Sequence, residues 1–390
     1  MGFPFANLLQ GELLIHTDIY QLNKFPDISE ERTEFTEVRT ADIIFPVQVA
    51  IDTSPLKTEH KTRGIGAYTK NLIEEFKKGK RDLDFVFFDS DNYPPDSDLV
   101  HYPYFDLYFR TLPLRRDKPR IVTIHDVIPL VYPQHYPVGI RGRINFFFQK
   151  ITLKKVDAVI CDSRTSKEDI ANKLSFPKSK IHVVYLAPSS NYKKIYDQKL
   201  LNFVTKKYKL PKKFALYVGD VNWHKNIGNM LKAIKISNVD LVMVGKALVD
   251  SRLPESRKIN DLTKKLKLDN QIVKIGFIEE RDLTAIYNLA KVTLLPSYYE
   301  GFGLPVLESM ACGTPVVASN VSSIPEISED TIFFCEPTDP EDIAKKVKEV
   351  FSLPQDKLDE LSEKLIGEAK KYSWHRVAAE TVNVYRSVIK

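Results

Sequence analysis

A chain of 390 residues exceeds one ordinary hydrophobic core and suits two domains of about 150–200 residues each. Its 43% hydrophobic and 28% charged residues exclude a disordered or fibrous chain, and no stretch approaches the roughly 18 uninterrupted apolar residues of a membrane span. The formal net charge of +6 is too mild for the dense basic stripe of a nucleic-acid binder.

Residues 1–45 read as an acidic extension outside any α/β pattern, with three Lys or Arg against seven Asp or Glu in the first 40. Glu12 and Asp18 stand where an export signal needs a basic start and an apolar run, so export is not expected. From there, strand and helix patterns alternate. Residues 47–52 form a β-rich run, and residues 66–77 carry Tyr68, Leu72, Ile73 and Phe76 at helical spacing. Further buried strands are predicted at 84–88, 121–124, 158–161 and 181–185. A polar stretch at 191–213 reads as a linker, and the pattern then restarts. Strands are predicted at 214–219, 240–244, 272–275, 292–295, 315–318 and 331–334, with helices at 226–236, 281–290 and 341–351. After about residue 356 the chain reads as helical, with Trp374, Val377, Val382 and Tyr385 as a packing face.

Strands separated by helix-length segments predict an α/β protein with two Rossmann-like domains facing across an interdomain cleft. The expected boundaries are 46–200 for the first domain, 201–372 for the second, and 373–390 for a C-terminal helix that could cross back to the first. Cys161, Cys312 and Cys335 are too few and scattered for a disulfide framework or a zinc site. A reduced, cytoplasmic protein with no metal cage of its own is therefore expected.

The most informative stretch is Ser297-Tyr298-Tyr299-Glu300-Gly301-Phe302-Gly303-Leu304-Pro305-Val306-Leu307-Glu308. It leaves a strand and opens a helix near Leu304. Gly301 and Gly303 let the backbone approach a ligand, and the free N–H groups at the helix start suit a phosphate. Glu300 and Glu308 flank that point as acceptors for sugar hydroxyls. A second motif, Gly219-Asp220-Val221-Asn222-Trp223-His224-Lys225-Asn226, ends the strand at 214–219 and offers Lys225 as a point charge. In the first half, Arg63-Gly64-Ile65-Gly66-Ala67-Tyr68 sits between strand and helix, and His125-Asp126 follows a strand at its carboxyl end. Taken singly, each of these has a plainer reading: a helix-start turn, a surface lysine, a hydrogen-bonded core histidine.

Together they resemble the retaining glycosyltransferases of family 4, which have the GT-B fold. The likeness rests on Glu300-x7-Glu308 and continues through residues 310–318 and 324–327. It runs from about residue 47 to the end of the chain. The resemblance implies transfer of a hexose from a nucleotide diphosphate sugar to a glycan or lipid-linked glycan, with the anomeric configuration retained. It implies no metal, because no member of this fold needs one held by an Asp-x-Asp motif, and no cofactor beyond the donor substrate. The implied reaction is a same-face substitution in which the leaving phosphate oxygen takes the acceptor proton.

By the same resemblance, Glu300 and His125 lie at the transferred sugar and Lys225 at the leaving diphosphate. Gly219, His224, Gly301, Phe302, Gly303 and Leu304 line the donor site, Glu308 holds the ribose, and Gly64, Ile65 and Gly66 form the glycine loop. The family often adds an arginine beside the lysine, where this chain has Asp220 and His224. Residues 244–246, 276–278 and 299–303 look like the mannosyltransferase-type branch, which favours GDP-mannose over a UDP-sugar.

Residues 139–155 place Arg141, Arg143, Lys150, Lys154 and Lys155 around Phe146, Phe147 and Phe148. Such a helix could dock on anionic lipids at the inner face of the membrane. The preferred reading is that the aromatics face the core and only the charges are exposed. Two other functions remain open: a nucleotide-sugar epimerase or hydrolase of the same fold, and a non-catalytic nucleotide-sugar-binding protein. The sequence leaves oligomeric state open.

Overall fold

The structure, a computed structural model, describes residues 47–57, 64–78, 83–89 and 94–389. The acidic extension at 1–45 and Arg63 lie outside them. The chain starts with β1 (Val47–Asp52), α1 (Gly64–Lys78), β2 (Leu83–Phe88), β3 (Leu99–Tyr102) and β4 (Arg120–Thr123). Next come α2 (Ile128–Val131), α3 (Ile140–Leu153), β5 (Ala158–Cys161), α4 (Arg164–Leu174) and β6 (Ile181–Val183). These six strands make one parallel sheet in the order β2-β1-β3-β4-β5-β6. β3, β4 and β5 are buried along their whole length, as expected for parallel strands covered by helices on both faces.

The second half follows with α5 (Gln198–Tyr208), β7 (Phe214–Val218), α6 (Ile227–Ser237), β8 (Asp240–Val244), α7 (Pro254–Lys265) and β9 (Ile272–Ile275). It continues with α8 (Glu280–Leu289), β10 (Val292–Leu295), α9 (Leu304–Ala311), β11 (Val316–Ser319) and β12 (Phe333–Cys335). Its parallel sheet has the order β12-β11-β10-β7-β8-β9, the Rossmann arrangement. The first sheet has the other doubly wound order, with its switch between β1 and β3. Three helices close the chain: α10 (Pro340–Ser352), α11 (Gln355–Ala369) and α12 (Trp374–Val388).

The predicted linker at 191–213 is in part a helix. Asp197 caps α5 through the Lys199 and Leu200 N–H groups, and Leu201 and Val204 pack with Phe214 and Tyr287 of the second half. The lysines that made this stretch look like a linker lie on its outer side. The C-terminal helix does cross back. Tyr385 of α12 is fully buried, and its hydroxyl lies 2.7 Å from Nδ1 of His101 in β3. Trp374 is only half-buried, while Val377, Val382 and Tyr385 form the packing face. One apolar cluster runs through both halves, from Ile51, Leu72 and Ile121 to Phe302, Val306, Ile324 and Val377.

The reading that turned all three phenylalanines of 146–148 inward needs correction. Phe147 is 63% exposed, and Phe146 and Phe148 are half-buried. Ile140, Ile144, Phe147 and Ile151 recur at i, i+4, i+7 and i+11, so α3 shows solvent a continuous apolar stripe. No helix among the described residues is long and apolar enough to cross a membrane.

Candidate functional site

β7 and β10 are neighbours whose following helices belong to crossovers running in opposite directions across the sheet, β7 to β8 and β10 to β11. Their carboxyl ends therefore form a topological switch point, where open α/β sheets bind ligands. The segment after β7 carries His224 and Lys225, and the loop after β10 carries Glu300. The two segments are joined directly, with the Tyr298 N–H donating to the His224 carbonyl at 2.7 Å.

At this point Lys225 Nζ reaches both oxygens of Glu300, at 2.8 and 2.9 Å. The Ser297 hydroxyl donates to Glu300 Oε1 at 2.6 Å, and the Glu300 side chain is 7% exposed. Burial works against the charged carboxylate, but the Lys225 ammonium outweighs it and holds Glu300 below its ordinary range. His224 is buried, with Nδ1 at 2.6 Å from the Tyr136 hydroxyl of the first half. Burial and the adjacent Lys225 charge lower it to about 4, which favours the neutral imidazole. A neutral ring supplies no second cation there.

The first half meets this loop closely. A Cβ on Gly301 would lie 2.9 Å from Asp126 Cβ and 3.1 Å from the His125 carbonyl, so only glycine fits. The Gly301 carbonyl accepts from the Ser163 and Ser166 hydroxyls at the start of α4, at 2.8 and 3.1 Å. His125 is oriented by Asp162, a residue the sequence did not single out, with Nδ1 at 2.7 Å from Oδ2. Burial opposes charging the ring, yet Asp162, with Asp126 adding, raises His125 above its ordinary value. Tyr68 sets its edge against the ring at 4.8 Å.

A second interdomain contact escaped sequence reasoning altogether. Glu326, in the turn after β11, caps α4 of the other half. Its carboxylate accepts from the Arg164 and Thr165 N–H groups at 2.8 and 2.9 Å, and from the Thr165 and Tyr185 hydroxyls at 2.8 and 2.9 Å.

The remaining candidates fall around this centre or apart from it. Gly219 directly follows β7, and a Cβ there would meet the Tyr217 hydroxyl at 2.8 Å. Gly303 has φ +110° and precedes Leu304 as the cap of α9, and supplies no side-chain cap to that helix start. Phe302 is buried in the shared apolar cluster. Gly64, Ile65 and Gly66 form the first turn of α1 and not a loop, one turn before Tyr68. Glu308 stands apart from the Glu300 cluster, accepting from the Tyr287 hydroxyl of α8 at 2.7 Å. Burial, aided by Glu280, pushes its carboxyl up to about 7. Among the described residues no group of three or more His, Cys, Asp or Glu could hold a metal ion.

Comparison with known proteins matches each half separately. Residues 91–187 match the family model described as Glycosyltransferase Family 4, and residues 201–372 the one described as Glycosyl transferases group 1. The O-antigen chain mannosyltransferase B of Escherichia coli is 29% identical over 280 residues, 70% of this chain and 72% of that protein. The serotype-specific mannosyltransferase WbdA of Escherichia coli is 27% identical over 302 residues, 76% of this chain but only 36% of that longer protein. Two solved structures share the fold. Anabaena HepE in complex with UDP and glucose has a TM-score of 0.68 at 14% identity, covering 88% of this chain and all of that one. Sucrose-phosphate synthase from Thermosynechococcus elongatus has a TM-score of 0.67 at 18% identity, covering 87% and 98%.

Proposed function

Because the chain belongs to the glycosyltransferases of family 4 and group 1, we propose that it transfers mannose from GDP-mannose to a lipid-linked glycan, with retention and without a metal. The observation that carries this reading is the buried Lys225–Glu300 pair at the switch point, closed from the first half by His125 and Asp126, which pack against Gly301. The mannosyltransferase relatives support the sugar, and the structural neighbour bound to UDP and glucose supports a nucleotide-sugar donor.

In this proposal Glu300 accepts hydroxyls of the transferred mannose. Lys225 and the start of α9 at Gly303 and Leu304 meet the diphosphate charge that grows as the glycosidic bond breaks. Gly219 keeps the backbone near the phosphates, Glu308 holds the ribose, and Gly64 to Gly66 close the sugar side. His125, fixed by Asp162, flanks the sugar. The acceptor hydroxyl attacks from the face the diphosphate leaves, and its proton passes to the departing phosphate oxygen. Glu300 is tied to Lys225 and held ionised, which suits hydroxyl binding and not proton donation.

The direct test is nucleotide release with GDP-mannose, UDP-glucose and related donors, in EDTA, with and without acceptor. Acceptor-dependent GDP release is expected. Release without acceptor would point to hydrolysis, tight binding without turnover to a sensor, and preference for UDP-sugars would overturn the donor assignment.

We also assign the apolar stripe of α3 to the surface of an anionic membrane. Ile140, Ile144, Phe147 and Ile151 face out, and Arg143 and Lys154 flank them, a pairing of apolar and basic residues that suits lipid headgroups. The three cysteines are buried and unpaired, which fits work at the cytoplasmic face. The protein should sediment at low salt with phosphatidylserine-containing vesicles, and Phe147→Glu should weaken that binding by about tenfold. No binding by the wild-type protein would remove the membrane contact.

A further inference from the structure

His125 is held by more than Asp162. The Asp162 carboxylate fixes it at one point, Nδ1 to Oδ2 at 2.7 Å, and one hydrogen bond leaves the ring free to turn about that axis. The buried Tyr68 ring closes this freedom, meeting the His125 ring at 82° with centroids 4.8 Å apart. Tyr68 in turn ends a buried hydrogen-bonded chain. Its hydroxyl lies 3.1 Å from Thr123 Oγ1, at the end of β4 and two residues before His125. The same Thr123 oxygen lies 2.9 Å from Nε2 of His101 in β3, and Nδ1 of His101 lies 2.7 Å from the Tyr385 hydroxyl of α12.

Thr123, His101 and Tyr385 are all fully buried. α12 touches the chain again at its own first residue, where the Trp374 ring lies 6.0 Å from the Tyr68 ring. The helix that crosses back from the second half therefore grips both ends of the chain. Burial, with the His125 charge adding, lowers His101 to about 3, which favours its neutral ring. A neutral imidazole donates at one nitrogen and accepts at the other, so His101 passes a single hydrogen-bond sense between Tyr385 and Thr123. A core built for stability alone has no need of four polar groups at this place. Satisfied as they are, they fix one another's rotamers and specify one arrangement behind His125.

We propose that Tyr68, Thr123 and His101 are positioning residues for His125, and that α12 anchors them through Tyr385 and Trp374. Together they hold the His125 ring in one orientation toward the transferred sugar. The inference rests on the transfer reading above and adds to it side chains that act through His125.

Thr123→Val keeps the shape of the side chain and breaks the chain at its middle, while Thr123→Ser retains the hydroxyl. Thr123→Val should lower kcat about tenfold with donor KM unchanged, and Thr123→Ser should stay within about twofold of wild type. An unchanged kcat in Thr123→Val, a rise in donor KM alone, or equal losses in both variants would overturn the proposal. Tyr385→Phe leaves its ring near Phe76 and Phe85, at 6.1 and 6.5 Å, and removes only the far end of the chain. Added to Thr123→Val, it should lower kcat no further; additive losses would overturn the anchoring by α12. Orientation is also read without turnover, by NMR of protein labelled with nitrogen-15 in its histidines. The His125 ring signal, identified by its loss in His125→Ala, should shift or broaden in Thr123→Val and keep its wild-type position in Thr123→Ser. An unmoved signal in folded Thr123→Val would overturn the proposal. If wild type transfers no sugar, the transfer reading fails, and this signal decides the positioning by itself. If Thr123→Val does not fold, Tyr68→Phe removes the same hydrogen bond and carries the same expectations.

Discussion

Glu300→Ala should lower the transfer rate about 1000-fold while leaving GDP affinity equal or higher. The two halves of that expectation have different causes. In the proposed function Glu300 holds mannose hydroxyls that must stay in place as positive charge grows on the sugar ring, so its loss should fall on kcat. The same carboxylate contacts Lys225 through both oxygens, at 2.8 and 2.9 Å, and in the proposed function a diphosphate competes for that ammonium. Removing Glu300 ends the competition. It also leaves a largely buried ammonium without its partner, which should cost about 3 kcal/mol of stability. Glu300→Gln keeps the shape of the loop and separates the two effects. Near-normal turnover in either folded variant, with calorimetry confirming GDP binding, would remove Glu300 from the site.

Glu326→Gln should lower kcat about tenfold or more and leave donor affinity unchanged. An amide is neutral and keeps one accepting oxygen, so both backbone N–H groups at the start of α4 lose a charged partner and at least one loses its acceptor. That helix start holds Ser163 and Ser166 on the Gly301 carbonyl and follows directly on Asp162, which orients His125. Loosening it should move the first half away from the proposed donor site in the second. Small-angle scattering of the variant should show a larger radius of gyration than wild type. A raised donor KM with unchanged kcat would show that Glu326 serves the donor site and not the closure.

The residues of the second half were legible because they cluster in sequence. Glu300, Gly301 and Gly303 sit within one loop, and Lys225 ends a glycine-bearing turn after a strand of continuous apolar residues. The strands were legible for the same local reason, since buried parallel strands read as apolar runs. β3 was missed: only Leu99–Tyr102 belong to it, and the run contains His101, a polar residue that hides the pattern. That imidazole is satisfied by Tyr385 and Thr123, and Tyr385 lies 284 residues further on. α5 was read as linker because its buried face is narrow, with Leu201 and Val204 set among lysines.

The contacts between halves were not legible. Asp162 reaches His125 across 37 positions, and Glu326 reaches Thr165 across 161. No spacing rule connects them, because it is the packing of two sheets that brings them together. Ile324-Pro325-Glu326 was visible as part of a family likeness, but nothing local marks its carboxylate as the cap of a helix in the other half. The α3 stripe was visible as composition, and only the fold decided which of its phenylalanines face out. His224 was likewise open on sequence, where a neighbouring diphosphate suggested a charged ring. Its burial beside Lys225 favours the neutral ring.

The most direct test of the account is the anomeric configuration of the first product. Purified protein would be given GDP-mannose labelled with carbon-13 at C1 and a farnesyl-diphosphate-linked mannose disaccharide, in EDTA, and the new linkage read by NMR one-bond C1–H1 coupling. The account predicts an α-mannoside, the configuration of the donor, formed at an undiminished rate without divalent metal. A β-mannoside, or a product that forms only when metal is restored, would contradict it.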